Sequence, residues 1–140
     1  MKLSLVTLLG TKLDTDVYGV TLPTKAGEIS VYQGHEALIT LAQPGVIAVR
    51  YKKNDSDSAM DFFATSGGVV EIEPDSVKVL VDEADHSDDI VESETKAALE
   101  RALKLKSGAK NQIELEQASQ LVDRHAVKLK VAGLRRHRRR

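Results

Sequence analysis

The chain has no cysteine and no tryptophan, only three prolines, and aromatics make up 4% of its 140 residues. Without thiols there can be no disulfide and no thiolate metal site, and a reducing compartment fits. So few aromatics leave a core of Val, Leu and Ile, which suits strands and small helices better than a large ligand pocket. No stretch approaches the roughly 20 apolar residues that a spanning helix needs. The apolar start, Met1 to Leu9, is ended by Gly10-Thr11-Lys12 too early for a signal peptide, and no small-residue cleavage site follows. These absences predict a soluble chain: one compact domain, or a small domain with an appendage.

Signatures of catalysis are missing too. His35-Glu36 begins like a zinc-protease motif, but Ile39 stands where the second histidine is required. The four histidines, at 35, 86, 125 and 137, have no metal-ligand spacing. Ser66 before Gly67-Gly68 lacks the glycine two residues ahead that a nucleophile elbow uses, and reads as a turn. No Gly-Lys-Ser/Thr closes any of the Gly-rich pieces, so no phosphate-cradling loop of that type is present. We therefore expect no catalytic residue, no metal and no cofactor.

Charge is present, and it is divided. A formal net charge of −1 conceals an acidic block (Asp82, Glu83, Asp85, Asp88, Asp89, Glu92, Glu94) and a basic end (Arg124, Lys128, Lys130, Arg135, Arg136, Arg138, Arg139, Arg140). The acidic block reads as a solvated linker and a charged helix start rather than an acid–base pair. The basic end has three readings: a disordered solubilising tail, a surface for an acidic protein, or a phosphate-binding arm. Nothing aromatic is interleaved with these arginines to stack on bases.

From Lys2 to Asp82 the apolar residues recur with a period near two between turn residues. Leu3 and Leu5, Val20 and Leu22, Ile29 and Val31, Ile47 with Val49 and Tyr51, Val70 and Ile72, and Val77 with Val79 and Val81 mark strands. Asn54-Asp55-Ser56-Asp57-Ser58 reads as a hairpin connection. Short strands at regular spacing, with no helix-sized connection between them, predict an antiparallel sandwich and no parallel pairing. After Ala84 the period changes. Ser87 or Asp89 can cap a first helix, Ala98, Leu99, Ala102 and Leu103 line it, and Ser107-Gly108 stops it. A second helix, about Gln112 to Lys130, carries Leu115, Ala118, Val122, His125, Leu129 and Ala132 on one face. The prediction is a mainly β N-terminal sandwich over 1–84, a two-helix hairpin over 85–134 that buries little area, and a basic disordered tail over 135–140.

Three blocks in order carry a resemblance. They are Gly27-Glu28-Ile29-Ser30-Val31-Tyr32-Gln33-Gly34-His35-Glu36-Ala37-Leu38-Ile39-Thr40, then Thr65-Ser66-Gly67-Gly68-Val69-Val70-Glu71-Ile72-Glu73-Pro74, then Val77-Lys78-Val79-Leu80-Val81-Asp82 leading into helices. Together they resemble the epsilon subunit of F-type ATP synthases of the bacterial type, over nearly the whole chain. The resemblance implies a non-catalytic rotor subunit of the central stalk that couples proton transport to ATP synthesis. Its sandwich would attach to the gamma subunit and the membrane rotor ring. Its helices would regulate or inhibit ATP hydrolysis, permissive when folded on the sandwich and blocking when extended toward the catalytic beta and alpha subunits. The implied place is the cytoplasmic face of the plasma membrane, peripheral and only through the complex, with no nucleic-acid partner. The other reading is a β-sandwich adaptor whose basic tail binds nucleic acid or an acidic scaffold.

The resemblance also assigns residues. Gly34-His35 matches the family's corner at the gamma contact, whereas from the residues alone His35 reads as a polar corner whose ring bonds nearby backbone. Arg124 and Lys128, one turn apart, with Lys130, Arg135 and Arg136 extending the charge, would meet the acidic segments of the catalytic subunits. Some members bind ATP through Ile or Leu, Asp, two free positions, Arg and Ala at the start of the first helix. Here Ile90 fits, but Val91 replaces the acid, Glu94 the arginine and Thr95 the alanine. We therefore expect no nucleotide binding.

Overall fold

Alternation builds the first two thirds of the molecule. The structure, a computed structural model, describes residues 1–138, with side chains through Arg135. In β1 (Lys2–Thr7), Leu3 and Leu5 are fully buried while Lys2 faces water, the pattern of a strand with one face on a core. There follow β2 (Gly10–Asp16), β3 (Gly19–Thr24), β4 (Gly27–Tyr32), β5 (Leu38–Ala42), β6 (Gly45–Arg50), β7 (Asp61–Thr65), β8 (Gly68–Glu73), β9 (Ser76–Val81) and the short β10 (Ala84–His86). All ten belong to one sheet folded into two layers. One layer runs β10-β7-β6-β3, with β4 also on β3, and the other runs β5-β8-β9-β1-β2. The layers join where β3 meets β5, through the single pair Thr24 and Ala42.

Between the layers, Val20, Leu22, Val31, Ile47, Val49 and Phe63 meet Leu3, Leu5, Val70, Ile72, Val77 and Val79. Each such side chain taken from water stabilises the fold by about 1.5–3 kcal/mol. The sandwich expected from the sequence is therefore the one observed. Two details differ. β1 and β9 run parallel, Leu3 beside Val77 and Leu5 beside Val79. The expectation of no parallel pair considered only helical crossovers, whereas here the crossover is the rest of the sandwich. β2 escaped notice because it is an edge strand with a mostly exposed, polar sequence, GTKLDTD.

The helices also depart from expectation at their ends. α1 (Glu92–Ser107) stops at Gly108 as predicted, but its N-cap is Val91, with no side-chain cap bond. Neither Ser87 nor Asp89 caps it, because both belong to a separate 3-10 turn over Ser87–Asp89 whose N-cap is His86. α2 runs from Gln112 to Arg138. Asn111 caps it, its Oδ1 accepting from Glu114 N–H at 2.9 Å while Glu114 Oε2 accepts from Lys110 N–H at 2.8 Å. The expected helix end near Lys130 and the disordered tail from 135 are thus corrected as far as Arg138. Val131 and Ala132 are fully buried against Ala64 and Ile90, which holds the helix down well beyond Lys130. Arg139 and Arg140 lie outside the described residues.

Glycine is required at Gly68 by space and at Gly34 by backbone angle. A Cβ on Gly68 would lie 2.1 Å from the Leu80 carbonyl oxygen, whereas Gly34 has φ +87 and open space around it. Gly68→Ala should therefore destabilise the chain by about 3 kcal/mol, and Gly34→Ala by about 1–2 kcal/mol. Urea unfolding of the two variants checks this, and equal losses would show that the close approach at Gly68 is relieved by a small shift.

Candidate functional site

Two places collect the residues singled out from sequence. The first is the corner after β4. Gly34 N–H donates to Pro74 O at 2.6 Å and His35 N–H to Tyr32 O at 3.2 Å, so the corner is tied to the loop between β8 and β9. The half-buried His35 ring bonds backbone: Nδ1–H donates to Glu36 O at 2.7 Å. A carbonyl can only accept, and this fixes the tautomer. Immediately downstream, β5 exposes Ile39 (73%) and Leu41 (47%) on its outer face. The register places Leu41 beside Val69, Val69 beside Leu80 and Leu80 beside Val6. The outcome is an apolar row crossing four strands on a face without helices, at the Gly68 end of the sheet; Ile39, Glu71 and Lys78 lie between it and the Gly34-His35 corner on the same face.

The second place is the joint between sandwich and helices. Glu83 is pinned by Ser66, whose N–H donates to Glu83 O at 3.3 Å and whose Oγ accepts from Glu83 N–H at 3.1 Å. β10 then pairs with β7. His86 completes the attachment: Nε2–H donates to Asp61 Oδ1 at 3.0 Å and Nδ1 accepts from Asp88 N–H at 3.1 Å. Tyr51 O–H donates to Asp61 Oδ2 at 2.6 Å, and burial first, then this carboxylate, pushes the phenol well above its usual range. The stretch from Glu83 to His86 is therefore tied directly to the sandwich, and the 3-10 turn after it is tied back to His86.

α2 lies along this fixed stretch. Arg124 Nε is 3.4 Å from Glu83 Oε2 and Lys128 Nζ is 3.4 Å from Asp85 Oδ2. Arg135 donates to Ser87 O at 2.6 Å and Ile90 O at 3.4 Å. Two of the five predicted basic contacts thus face carboxylates of the chain's own acidic block, and a third bonds backbone carbonyls beside it, so the block is not the solvated linker expected from sequence. Lys130 is exposed on another side of the helix, and the Arg136 side chain lies outside the described residues. At the start of α1, Val91 and Glu94 are exposed, and buried Thr95 turns inward, Oγ1 donating to Val91 O at 3.0 Å. Among the described residues no group of three or more His, Asp or Glu side chains could hold a metal ion.

His125 sits beside these ion pairs. Burial, then Lys128, Arg124 and Arg101, lower its pKa, while Glu83 raises it. With the folded pKa below the unfolded one, the unfolded chain holds more protons in the interval between them, so stability rises with pH there. The helical signal at 222 nm should therefore melt at a lower temperature as pH falls below about 6.5, and His125→Gln should reduce that dependence. A dependence unchanged in the variant would assign it to the carboxylates instead.

Comparison with known proteins extends this geometry. The family model described as "ATP synthase, Delta/Epsilon chain, beta-sandwich domain" matches residues 1–87. An ATP synthase epsilon chain of Polaromonas naphthalenivorans is 37% identical over 120 residues, covering 85% of this chain and 82% of its own length. One from Herpetosiphon aurantiacus is 32% identical over 138 residues, covering 99% and 98%. Among solved structures, a chain of the Euglena gracilis mitochondrial ATP synthase, resolved with OSCP, F1 and c-ring, superposes with a TM-score of 0.77 at 25% identity, over 93% of this chain and 79% of that one.

Proposed function

This chain belongs to the ATP synthase delta/epsilon family, and from that premise we propose how its surfaces divide the work of a rotor-stalk subunit. It is a subunit of the ATP synthase complex. In our reading it is non-catalytic and docks on the gamma subunit through the Gly34-His35 corner and the outer face of β5. The observation that carries this is the exposed pair Ile39 and Leu41 on the outer face of β5, with the half-buried Val69, Leu80 and Val6 continuing the apolar row from Leu41. An apolar band of this kind with the charged pair Glu71 and Lys78 next to it is the composition of an interface centre with its rim. The sandwich also meets the membrane rotor ring. Among the described residues no helix is long and apolar enough to cross a membrane. In our reading the chain meets the membrane through the complex, and the cytoplasmic face is the one the resemblance implies.

The helices are the regulatory part. They lie against the sandwich here, with Arg124 and Lys128 on the sandwich's own carboxylates. The resemblance associates this folded arrangement with the permissive state. Extension would free the same cations for acidic segments of the catalytic beta and alpha subunits. Glu94, exposed in the first turn of α1, would repel a phosphate rather than attract it, so we assign no nucleotide to the joint.

Three measurements test this reading. Ile39→Asp should leave the melting temperature of the free chain within about 1 °C, because Ile39 is 73% exposed, yet weaken binding to gamma by about 2 kcal/mol. Wild-type affinity in titration calorimetry would remove β5 from the interface. Truncation after Asp89, which keeps β10 on β7, should raise ATP hydrolysis by the assembled enzyme and leave proton-driven synthesis in place; unchanged hydrolysis means the helices are not the brake. Millimolar Mg-ATP should not raise the melting temperature of the free chain, since a ligand selective for the native state must stabilise it.

A further inference from the structure

We propose that α2 and the fixed stretch from Glu83 to Ile90 form an ionic zipper, an internal latch in which the sandwich's own carboxylates hold the cations of α2 until they are displaced. The contacts occur in matching order along both segments. Arg124 meets Glu83, Lys128 meets Asp85, and Arg135 meets the carbonyls of Ser87 and Ile90. The register follows from two rises. Four residues of helix advance about 6 Å, and two residues of extended chain advance about 6.6 Å. One turn of α2 therefore steps across every second residue of the stretch, which places Glu83 and Asp85 on the same face. Arg135 lies about 16 Å beyond Arg124 along the helix. The stretch tightens into a 3-10 turn over Ser87–Asp89, which brings the Ile90 carbonyl back within its reach.

The contact suits a latch rather than a permanent bond. The side chains are 35% (Arg124), 43% (Glu83), 24% (Lys128) and 35% (Asp85) exposed. Arg124 Nε and Glu83 Oε2 are themselves out of reach of solvent, yet neither makes a hydrogen bond. Partly wet pairs without hydrogen-bond geometry are weak and sensitive to salt. The apolar part of the same contact is small: Val131 and Ala132 against Ala64 and Ile90, with Val46, Phe62 and Val127 around them. Glu83 and Asp85 cannot follow α2 away, because Ser66 and β7 hold them. Any anionic surface that takes Arg124 and Lys128 must therefore compete with two fixed carboxylates. The number of these carboxylates sets the threshold for release.

The absence of cysteine allows the latch to be read directly in the full chain. Labels on cysteines placed at the exposed positions Lys53 and Glu116 would report the distance from sandwich to α2. The double variant Glu83→Gln with Asp85→Asn should raise the equilibrium constant for the undocked form about five- to thirty-fold, as should roughly 1 M salt, where the Debye length is about 3 Å. Glu83→Arg alone should undock α2, and Glu83→Arg combined with Arg124→Glu should restore docking. A distance distribution unchanged by neutralisation, or not restored by the swap, overturns the zipper and leaves the apolar contact as the sole attachment. The consequence for the enzyme rests on the regulatory reading above and is tested separately. In the assembled complex, neutralising Glu83 and Asp85 should lower hydrolysis, because the freed cations are intact. Arg124→Glu with Lys128→Glu should raise it. Undocking without any change in hydrolysis keeps the zipper and overturns the regulatory reading.

Discussion

Ten strands fold into two layers at one residue pair, Thr24 with Ala42, and the molecule depends on the backbone packing that lets this seam close. Gly67 lies so near Ala42 that a Cβ there would be 2.9 Å from its carbonyl oxygen, and Gly68 is closer still to Leu80. Only chains without side chains fit at these two positions, so Ser66-Gly67-Gly68 is fixed in place by sterics. Ser66 is then held where its backbone and hydroxyl grip both sides of Glu83. Glu83 in turn presents its carboxylate to Arg124. A packing constraint inside the sandwich thus sets the position of the charge that α2 meets on its surface.

The two parts of the chain are held by different physics. Buried Val, Leu and Ile side chains from six strands knit the sandwich, and antiparallel and parallel ladders close it without a break from β10 to β2. The helices touch it through a few small apolar side chains and a line of partly exposed ion pairs. Area-dependent terms therefore dominate one part and screenable terms contribute much of the other. Such a division makes local opening of the helices far less costly than opening of the sandwich, and movable elements are drawn from that low-stability end. The distribution of apolar residues thus gives one strongly held part and one weakly held part within the same chain.

How much of this was legible in the sequence varied with the range of the interaction. Period-two runs identified most of the buried strands, because alternation is the direct imprint of a one-sided core. The Gly34 corner and the Ser66-Gly67-Gly68 turn were legible because their backbone geometry admits little else. β2 and β10 were not: one is a polar edge and the other three residues long, so neither leaves an apolar period. The parallel pairing of β1 with β9 joins residues more than seventy positions apart and has no local signal. The length of α2 was misjudged because its last turns look like a basic tail, while Val131 and Ala132 are buried by contacts with Ala64 and Ile90. For the candidate site, Arg124 and Lys128 stood out by their one-turn spacing and Arg135 as part of the basic end. The resemblance implied them as contacts for other subunits, whereas their partners within the chain were missed. Glu83 and Asp85 were counted as part of a solvated cluster, although their alternate positions before a helix were a signal that both could face one neighbour. Asn111 and Glu114, three apart ahead of α2, were a capping signal that went unused.

Negative charge at the joint is compensated on both of its sides. Glu92 and Glu94 stand in the first turn of α1, where the exposed N–H groups favour negative charge by about 0.3–1 kcal/mol each. Glu92 also lies 3.6 Å from Lys96 one turn on. Helix formation in α1 therefore gains from the same substitutions that remove a phosphate-facing arginine from position 94. Thr95, where the family's motif has alanine, is buried and bonded back to Val91 O, filling the turn from within. On the other side, Glu83 and Asp85 receive Arg124 and Lys128. Carboxylates and cations of this one chain thus occupy the joint from both flanks, and a bound polyanion would have to displace the first set to reach the second. Charge at the joint is therefore balanced within the chain itself, and the part of that balance held by partly exposed pairs is the part that salt screens.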